Sequence, residues 1–266
     1  MKALRHFFLP GLLFLTFSLS HFAVGGDVTF GGKEPVVADY EPDSPWEFEL
    51  YLPTWAAWTE GTFAIGNVSA TGNYGFDELM GDLDYLPVLF GGAVYHNRFG
   101  YRFDFGHMSL SPENTFPNRR IIESVTLKTK QTRFNQYLTY DFVDTGALTV
   151  SLGGGVRYYG SDSTMIVATG VRLGLTRSSM LDLWDGVFAG EIRYNVNDRL
   201  YLRVFADAGG GESDWTWQLY AGGGYHLKEN LFLTLDYRHL EQTVSGGRTT
   251  LDLEYKGPQI ALGIKV

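Results

Sequence analysis

The chain of 266 residues contains no cysteine. That excludes disulfides, thiolate metal sites, thiol nucleophiles and a lipid-carrying cysteine. Basic charge is scarce as well: 21 Lys and Arg stand against 30 Asp and Glu, a formal net charge of -9. A nucleic-acid partner needs a concentrated basic surface, so none is expected. Past the first residues no run approaches 18 uncharged apolar residues, which excludes a helical membrane protein. The 6 His are scattered, two of them in the N-terminal segment, and form no metal set; no cofactor is expected. What the chain does have is 33 Gly, 16 Tyr, 19 Phe and 6 Trp, with few long stretches of helix formers. This composition points to one β-rich body.

The N-terminus reads as an export signal over residues 1–25. Lys2, Arg5 and His6 precede the apolar run "FFLPGLLFLTFSLSHFAV", and small residues suit cleavage after Ser20 or after Gly25. Pro10, Ser18, Ser20 and His21 set this run apart from an uncleaved anchor. Residues 26–45, rich in Gly, Pro and acids, read as a flexible periplasmic leader; "PVVAD" within them only faintly resembles a TonB box.

From Trp46 onward apolar and polar residues alternate with period two, the mark of strands with two unlike faces. Ten segments show it: 46–58, 86–96, 99–111, 124–142, 148–159, 183–194, 199–210, 215–227, 231–242 and 250–266. Turn chemistry at "YHNRF", "VDTGA", "YNVNDR" and "LKEN" alternates with mostly longer connections. Up-and-down membrane barrels have this asymmetry. Within the long connection after Tyr159, "STMIVATGVRLGLT" alternates too; it is expected to extend a hairpin beyond the membrane, the competing count being twelve strands. "FDELMGDLD" at 76–84 predicts a short helix resting on the barrel mouth, with Phe76, Leu79, Met80 and Leu83 on one side.

Alternation alone leaves open which face meets water. The apolar phases are bounded by aromatics: Trp46 and Trp58, Trp184 and Tyr194, Trp217 and Tyr225, with Tyr237 in the segment 231–242. Ten residues at about 3.3 Å each, tilted by about 40°, rise roughly 25 Å, the height of the apolar band between aromatic girdles. The apolar phase is therefore expected to face lipid.

The final run "PQIALGIKV" keeps Ile260, Leu262, Ile264 and Val266 in one phase. In this the chain resembles bacterial outer-membrane β-barrel proteins, whose closing strand carries such a pattern as an assembly signal. The usual last residue there is Phe, and here it is Val266. More closely, "GGGVRYYG", "NDRLYLRVFADAGG", "WTWQLYAGGGYHL" and "LTLDYRHLE" look like the runs of an uncharacterised family of small outer-membrane barrels. The resemblance spans 46–266 and implies an all-β, antiparallel up-and-down barrel of ten strands (eight and twelve being the alternatives). It also implies periplasmic termini, a monomer in the cell outer membrane, contact with outer-membrane lipid and lipopolysaccharide, and a barrel-assembly machinery as a partner in biogenesis. It carries no catalytic residue.

The second phase then points inward. It holds Glu47, Glu49, Arg102, Asp104, Arg133, Asn135, Asp141, Arg157, Glu191, Arg193, Arg203, Asp207, Gln218, Asp236 and Arg238. Arg157, Glu191, Arg193, Arg203, Asp207, Asp236 and Arg238 are the expected charge network. Closing the turn after Tyr194 with the phases aligned puts Glu191 nearly opposite Arg203. Gly153, Gly155, Gly222 and Gly224 share the inward phase and leave room for long arginines. Ten strands lie near the closed end of barrel sizes, so these residues read as a packed, charge-paired plug, with a structural or adhesive role for the protein. The alternative is passive transport of a small solute through a narrow pore. A rim hydrolase or acyltransferase is the other alternative, with His107 beside Ser109, or His239 beside Glu241, as its only candidates. No enzyme is expected.

Overall fold

In the computed structural model, the described residues are 46–266 without 67, 116–122, 170–173 and 247–248. The predicted signal (1–25) and leader (26–45) lie outside them. Ten antiparallel strands form a closed barrel: β1 (Trp46–Trp55), β4 (Val88–His96), β5 (Phe99–Leu110), β7 (Ser124–Asp144), β8 (Leu148–Ala168), β9 (Leu175–Asn195), β10 (Leu200–Gly211), β11 (Trp215–Lys228), β12 (Leu231–Gly246) and β13 (Thr249–Lys265). Pairing of β13 with β1, from Glu49↔Lys265 to Trp55↔Gln259, closes the cylinder. A hairpin of β2 (Trp58–Ile65) and β3 (Val68–Tyr74) continues on the upper half of β13, and a short β6 (Glu113–Thr115) lies on β7. Among the described residues no helix is long and apolar enough to cross a membrane; this architecture crosses with strands.

The expected strands sit where the alternation placed them, and the count is ten. β7, β8 and β9 each run 21 residues, about twice what a tilted crossing needs. "STMIVA" (163–168) therefore belongs to β8 as an unbroken extension, not to a further spanning pair. Residues after Trp58, expected as loop, form β2 and β3; their alternation is diluted by Gly, Asn and Thr. The helix α1 spans Phe76–Gly81 only. Beyond it the chain pins itself to β5, with Leu83 bridging Leu110 and Ser109 Oγ and Ser111 Oγ donating to the Asp84 carboxylate at 2.6 and 2.9 Å. Those hydroxyls hold the exposed Asp84 carboxyl below the usual carboxylate range.

One end of the barrel has the tight turns. Asn97 takes the left-handed conformation (φ 52°) between β4 and β5. Asn197 Oδ1 accepts from the amides of Arg199 and Leu200, both at 2.9 Å, a side-chain-built turn between β9 and β10. The other end carries the extended hairpins.

The outer surface is apolar. Phe188 is 85% exposed, and Leu50, Leu52, Leu152, Ile192, Leu202, Val204, Leu235, Ile260, Leu262 and Ile264 are exposed with it. The aromatics Trp46, Trp58, Trp184, Tyr194, Tyr225 and Tyr237 are exposed on the same face; Trp217 is half-buried, stacked on His239. An uninterrupted apolar surface of this extent has lipid as its solvent.

Inside, side chains fill the cylinder. A lower cluster includes Tyr51, Tyr95, Tyr201, Phe205 and Phe232; an upper one joins Phe63, Tyr159, Met165, Leu183, Val244 and Leu251. Between them lies a polar layer. Its geometry depends on glycine at one position. Gly222 on β11 stands between Arg203 on β10 and Asp236 on β12. A Cβ there would meet the Leu235 carbonyl oxygen at 2.2 Å and Asp236 Oδ1 at 2.8 Å. Gly222→Val is expected to lower stability by about 1–3 kcal/mol or more, because overpacking also displaces a buried ion pair. Urea unfolding of the refolded barrel measures it, and an unchanged midpoint would contradict the packing described.

Candidate functional site: the barrel interior

Seven strands contribute to one polar network across the lumen. Arg157 on β8, fully buried, donates Nε to Asn135 Oδ1 at 2.9 Å, Nη1 to Thr216 Oγ1 at 2.6 Å and Nη2 to Asp207 Oδ1 at 2.6 Å. Tyr137 donates its hydroxyl to the other Asp207 oxygen, which Gln218 also meets. Asn135 Nδ2 continues to Asp104 Oδ1 at 2.8 Å, and Tyr220 donates to Asp104 Oδ2 at 3.2 Å. Arg238 Nη2 reaches Gln218 Oε1 at 2.9 Å and Asp104 Oδ2 at 3.5 Å, while its Nη1 reaches Gln259 Oε1 at 3.3 Å. Arg203 grips Asp236 through Nε at 2.8 Å and Nη2 at 2.5 Å, and Arg102 pairs with Glu191. Arg203–Asp236 is a two-point fork, while Arg157 meets Asp207 and Arg102 meets Glu191 through Nη2. In all three a buried charge faces its opposite, which is the condition for burying them at tolerable cost.

The predicted residues Arg157, Glu191, Arg193, Arg203, Asp207, Asp236 and Arg238 are all interior and buried. Their partners differ from the sequence expectation in two places. The β9–β10 register sets Arg203 opposite Arg193 and Phe205 opposite Glu191, so Glu191 does not face Arg203. Glu191 turns to Arg102, 89 positions away, because β5 lies across the lumen and its arginine is long enough to reach. Arg193 forms no ion pair among the described residues; its guanidinium lies 4.6 Å from the Tyr201 ring. Arg102, Asp104, Asn135 and Gln218 stood in the inward phase of the sequence, but nothing local marked them as members of the network.

The rim candidates separate. His107 Nε2 meets the Tyr85 hydroxyl at 2.7 Å and its Nδ1 meets Thr132 Oγ1 at 2.9 Å, while Ser109 donates to Asp84. His239, Glu241 and Glu254 stand close together on the outer face, His239 Nε2 lying 3.0 Å from Glu241 Oε1 and 3.6 Å from Glu254 Oε1. No serine, threonine or cysteine hydrogen-bonds that imidazole among the described residues.

A closed antiparallel barrel with an apolar exterior and a polar, packed interior is a transmembrane β-barrel of the outer-membrane kind, and its place is the cell outer membrane. The chain is similar in fold to the outer membrane protease OmpT from Escherichia coli, with a TM-score of 0.50 at 8% identity, over 86% of this chain and 98% of that one. The translocator domain of the autotransporter NalP from Neisseria meningitidis matches at 0.34 and 9% identity, over 84% and 89% of the two chains. Neisserial surface protein A matches at 0.30 and 11% identity, over 84% and 97%. No family model and no curated protein matches the chain.

Proposed function

We propose that this protein is a closed outer-membrane barrel without an axial conduit, in which the interior holds the shape and the extended-hairpin end is the working surface, in a structural or adhesive role. The observation that carries this is Arg157: fully buried at the centre, it is tied at once to β7, β10 and β11. A solute moving along the axis would have to break several charge-assisted hydrogen bonds, each strong in a low-dielectric interior. In the proposal the hairpins β2–β3, β8–β9 and β12–β13 face outward, the barrel is a monomer in contact with lipid and lipopolysaccharide, and an assembly machinery inserts it. The runs around "GGGVRYYG" and "NDRLYLRVFADAGG" favour kinship with the uncharacterised small barrels.

A non-catalytic role is part of the proposal. The likeness to a protease raises the opposite idea, but His107 and Ser109 each engage a different partner. Planar-bilayer recording tests the closed lumen. The refolded wild type is expected to give no discrete conductance steps, and reproducible steps would replace this proposal by passive transport.

A further inference from the structure

The barrel wall has a gap in its hydrogen bonding. β1 and β2 are one strand on β13, since Trp55↔Gln259 and Trp58↔Lys256 keep the same register. The opposite edge of that strand carries β4 as far as Tyr51↔Gly91, and β3 from Thr59↔Tyr74 onward. Residues 52–58 pair with neither, and residues 88–90 of β4 face them without a β1 partner. The cause is in the sequence. The amides of Phe48 and Ala56 donate to Val266 and Pro258 on the β13 side. Amides alternate along a strand, so odd-numbered ones face β4, and the next after Tyr51 is Pro53, which has no N–H to give. The gap lies within the apolar band, flanked on the outside by the exposed Leu52 and Phe90 and topped by Trp58. Open sheet edges are not tolerated in hydrocarbon unless something covers them.

Behind the gap is a recess of about 40 Å³ whose lining includes Pro53, Trp55, Leu89, Arg133, Gln259 and one carboxylate, Asp104, which already accepts from Asn135, Tyr220 and Arg238. Gly106 stands between Leu89 and Arg133, and a Leu89 methyl lies 3.0 Å from where a Gly106 Cβ would be, so the Leu89 side chain is what separates the mouth from the guanidinium. Arg133 is 7% exposed, and none of its three guanidinium nitrogens has a hydrogen-bond partner. It rests instead against aromatic rings, 4.2 Å from that of Tyr255 and 5.2 Å from that of Tyr159. Arg238 Nε and Gln259 Nε2, in the same lining, are also without acceptors. Every one of these open valences is a donor. A buried cation left this way costs several kcal/mol unless an anion or water answers it. The volume exceeds the ~10–15 Å³ that a single water needs, yet it is far too small for an acyl chain.

We propose that this recess receives the anionic head, a carboxylate or a phosphate, of an amphiphile that enters sideways through the gap and leaves its apolar tail on the belt beside Leu52 and Phe90. Arg133 is the anchoring cation, Arg238 Nε and Gln259 Nε2 complete the donor set, and Trp55 and Pro53 form the doorpost. The axial closure proposed above is independent of this site, because the entrance is in the wall.

The test uses the refolded full-length protein in neutral detergent, with palmitate, dipalmitoyl phosphatidylglycerol and inorganic phosphate as probes and native mass spectrometry as readout. Wild type is expected to retain palmitate or the lipid at least about tenfold better than Arg133→Gln, the loss expected for one charge-assisted anchor. Leu89→Trp, which fills the mouth and leaves Arg133 in place, is expected to lose the amphiphile as well. Heat-modifiable migration checks that both variants are folded barrels. Equal retention by wild type and Arg133→Gln overturns the site. Inorganic phosphate held as well as the amphiphiles, in the same Arg133-dependent way, overturns entry from the membrane. Binding of none of the three probes overturns the proposal outright. Conductance recorded on the same preparation reports on the closed lumen separately.

Discussion

Replacing Arg203 by alanine is expected to destabilise the folded barrel by about 3–5 kcal/mol, the cost of leaving a buried partner charge without its counterion. Asp236 has a side chain with no exposed surface and receives two guanidinium nitrogens from Arg203, at 2.8 and 2.5 Å. No water replaces that fork in the middle of a packed lumen. The double variant Arg203→Met/Asp236→Leu removes both charges and restores apolar volume, so it is expected to recover most of the loss. Urea unfolding of both proteins, refolded into the same lipid vesicles, measures the difference. A loss below about 1 kcal/mol for the single variant would place the pair in the weak regime of solvated ion pairs, and the plug would not be what holds the barrel together.

The second large effect concerns the other face. Phe188→Arg is expected to cost about 2–4 kcal/mol and to reduce insertion sharply, as a cation does at the bilayer midplane of a barrel. Phe188 is 85% exposed and lies midway between Trp184 and Tyr194 on β9. On a protein bathed in water, arginine at so exposed a position would change stability by under about 0.5 kcal/mol. Refolding yield into vesicles, followed by heat-modifiable migration, separates the two: full insertion by the variant would mean that this face does not meet lipid. The same change at Glu212, exposed in the β10–β11 connection, serves as a control outside the band.

How much of this was legible beforehand differs between the wall and its contents. The strands of the wall are written in alternation that each segment carries within itself: Trp184 to Tyr194 shows both the period and the height of the band. Past Tyr159 the inward phase of β8 and β9 stays apolar at Met165, Val167, Leu181 and Leu183, while the outward face turns polar at Asp162, Thr164, Ser178 and Asp182. The apolar-out contrast that marks a crossing strand therefore ends before the strand does. β2 and β3 were missed for the same reason. The inward charged set was also readable, since a residue's phase decides its face. Its partners were not. Glu191 meets Arg102 over 89 positions, and Arg157 meets Asp207 over 50. Such pairs depend on the stagger of ten strands around a closed circuit, which no single segment contains.

Pro53 shows the boundary between the two kinds of information. A proline within an alternating run already demotes that strand to an edge, and the sequence holds that fact at residue 53. It does not say which neighbour is lost there. Only the closed barrel turns the missing N–H of Pro53 to the β4 side, leaves 52–58 without a partner on that side, and sets Gly106 and Arg133 behind the opening. The sequence by itself thus determined the strands, their two faces and the solvent each face meets, because all three are periodic along the chain. The tertiary structure alone decided which buried charges are answered among the described residues and which, like Arg133 and Arg193, are not, because that depends on distances across a lumen that exists only once the last strand has paired with the first.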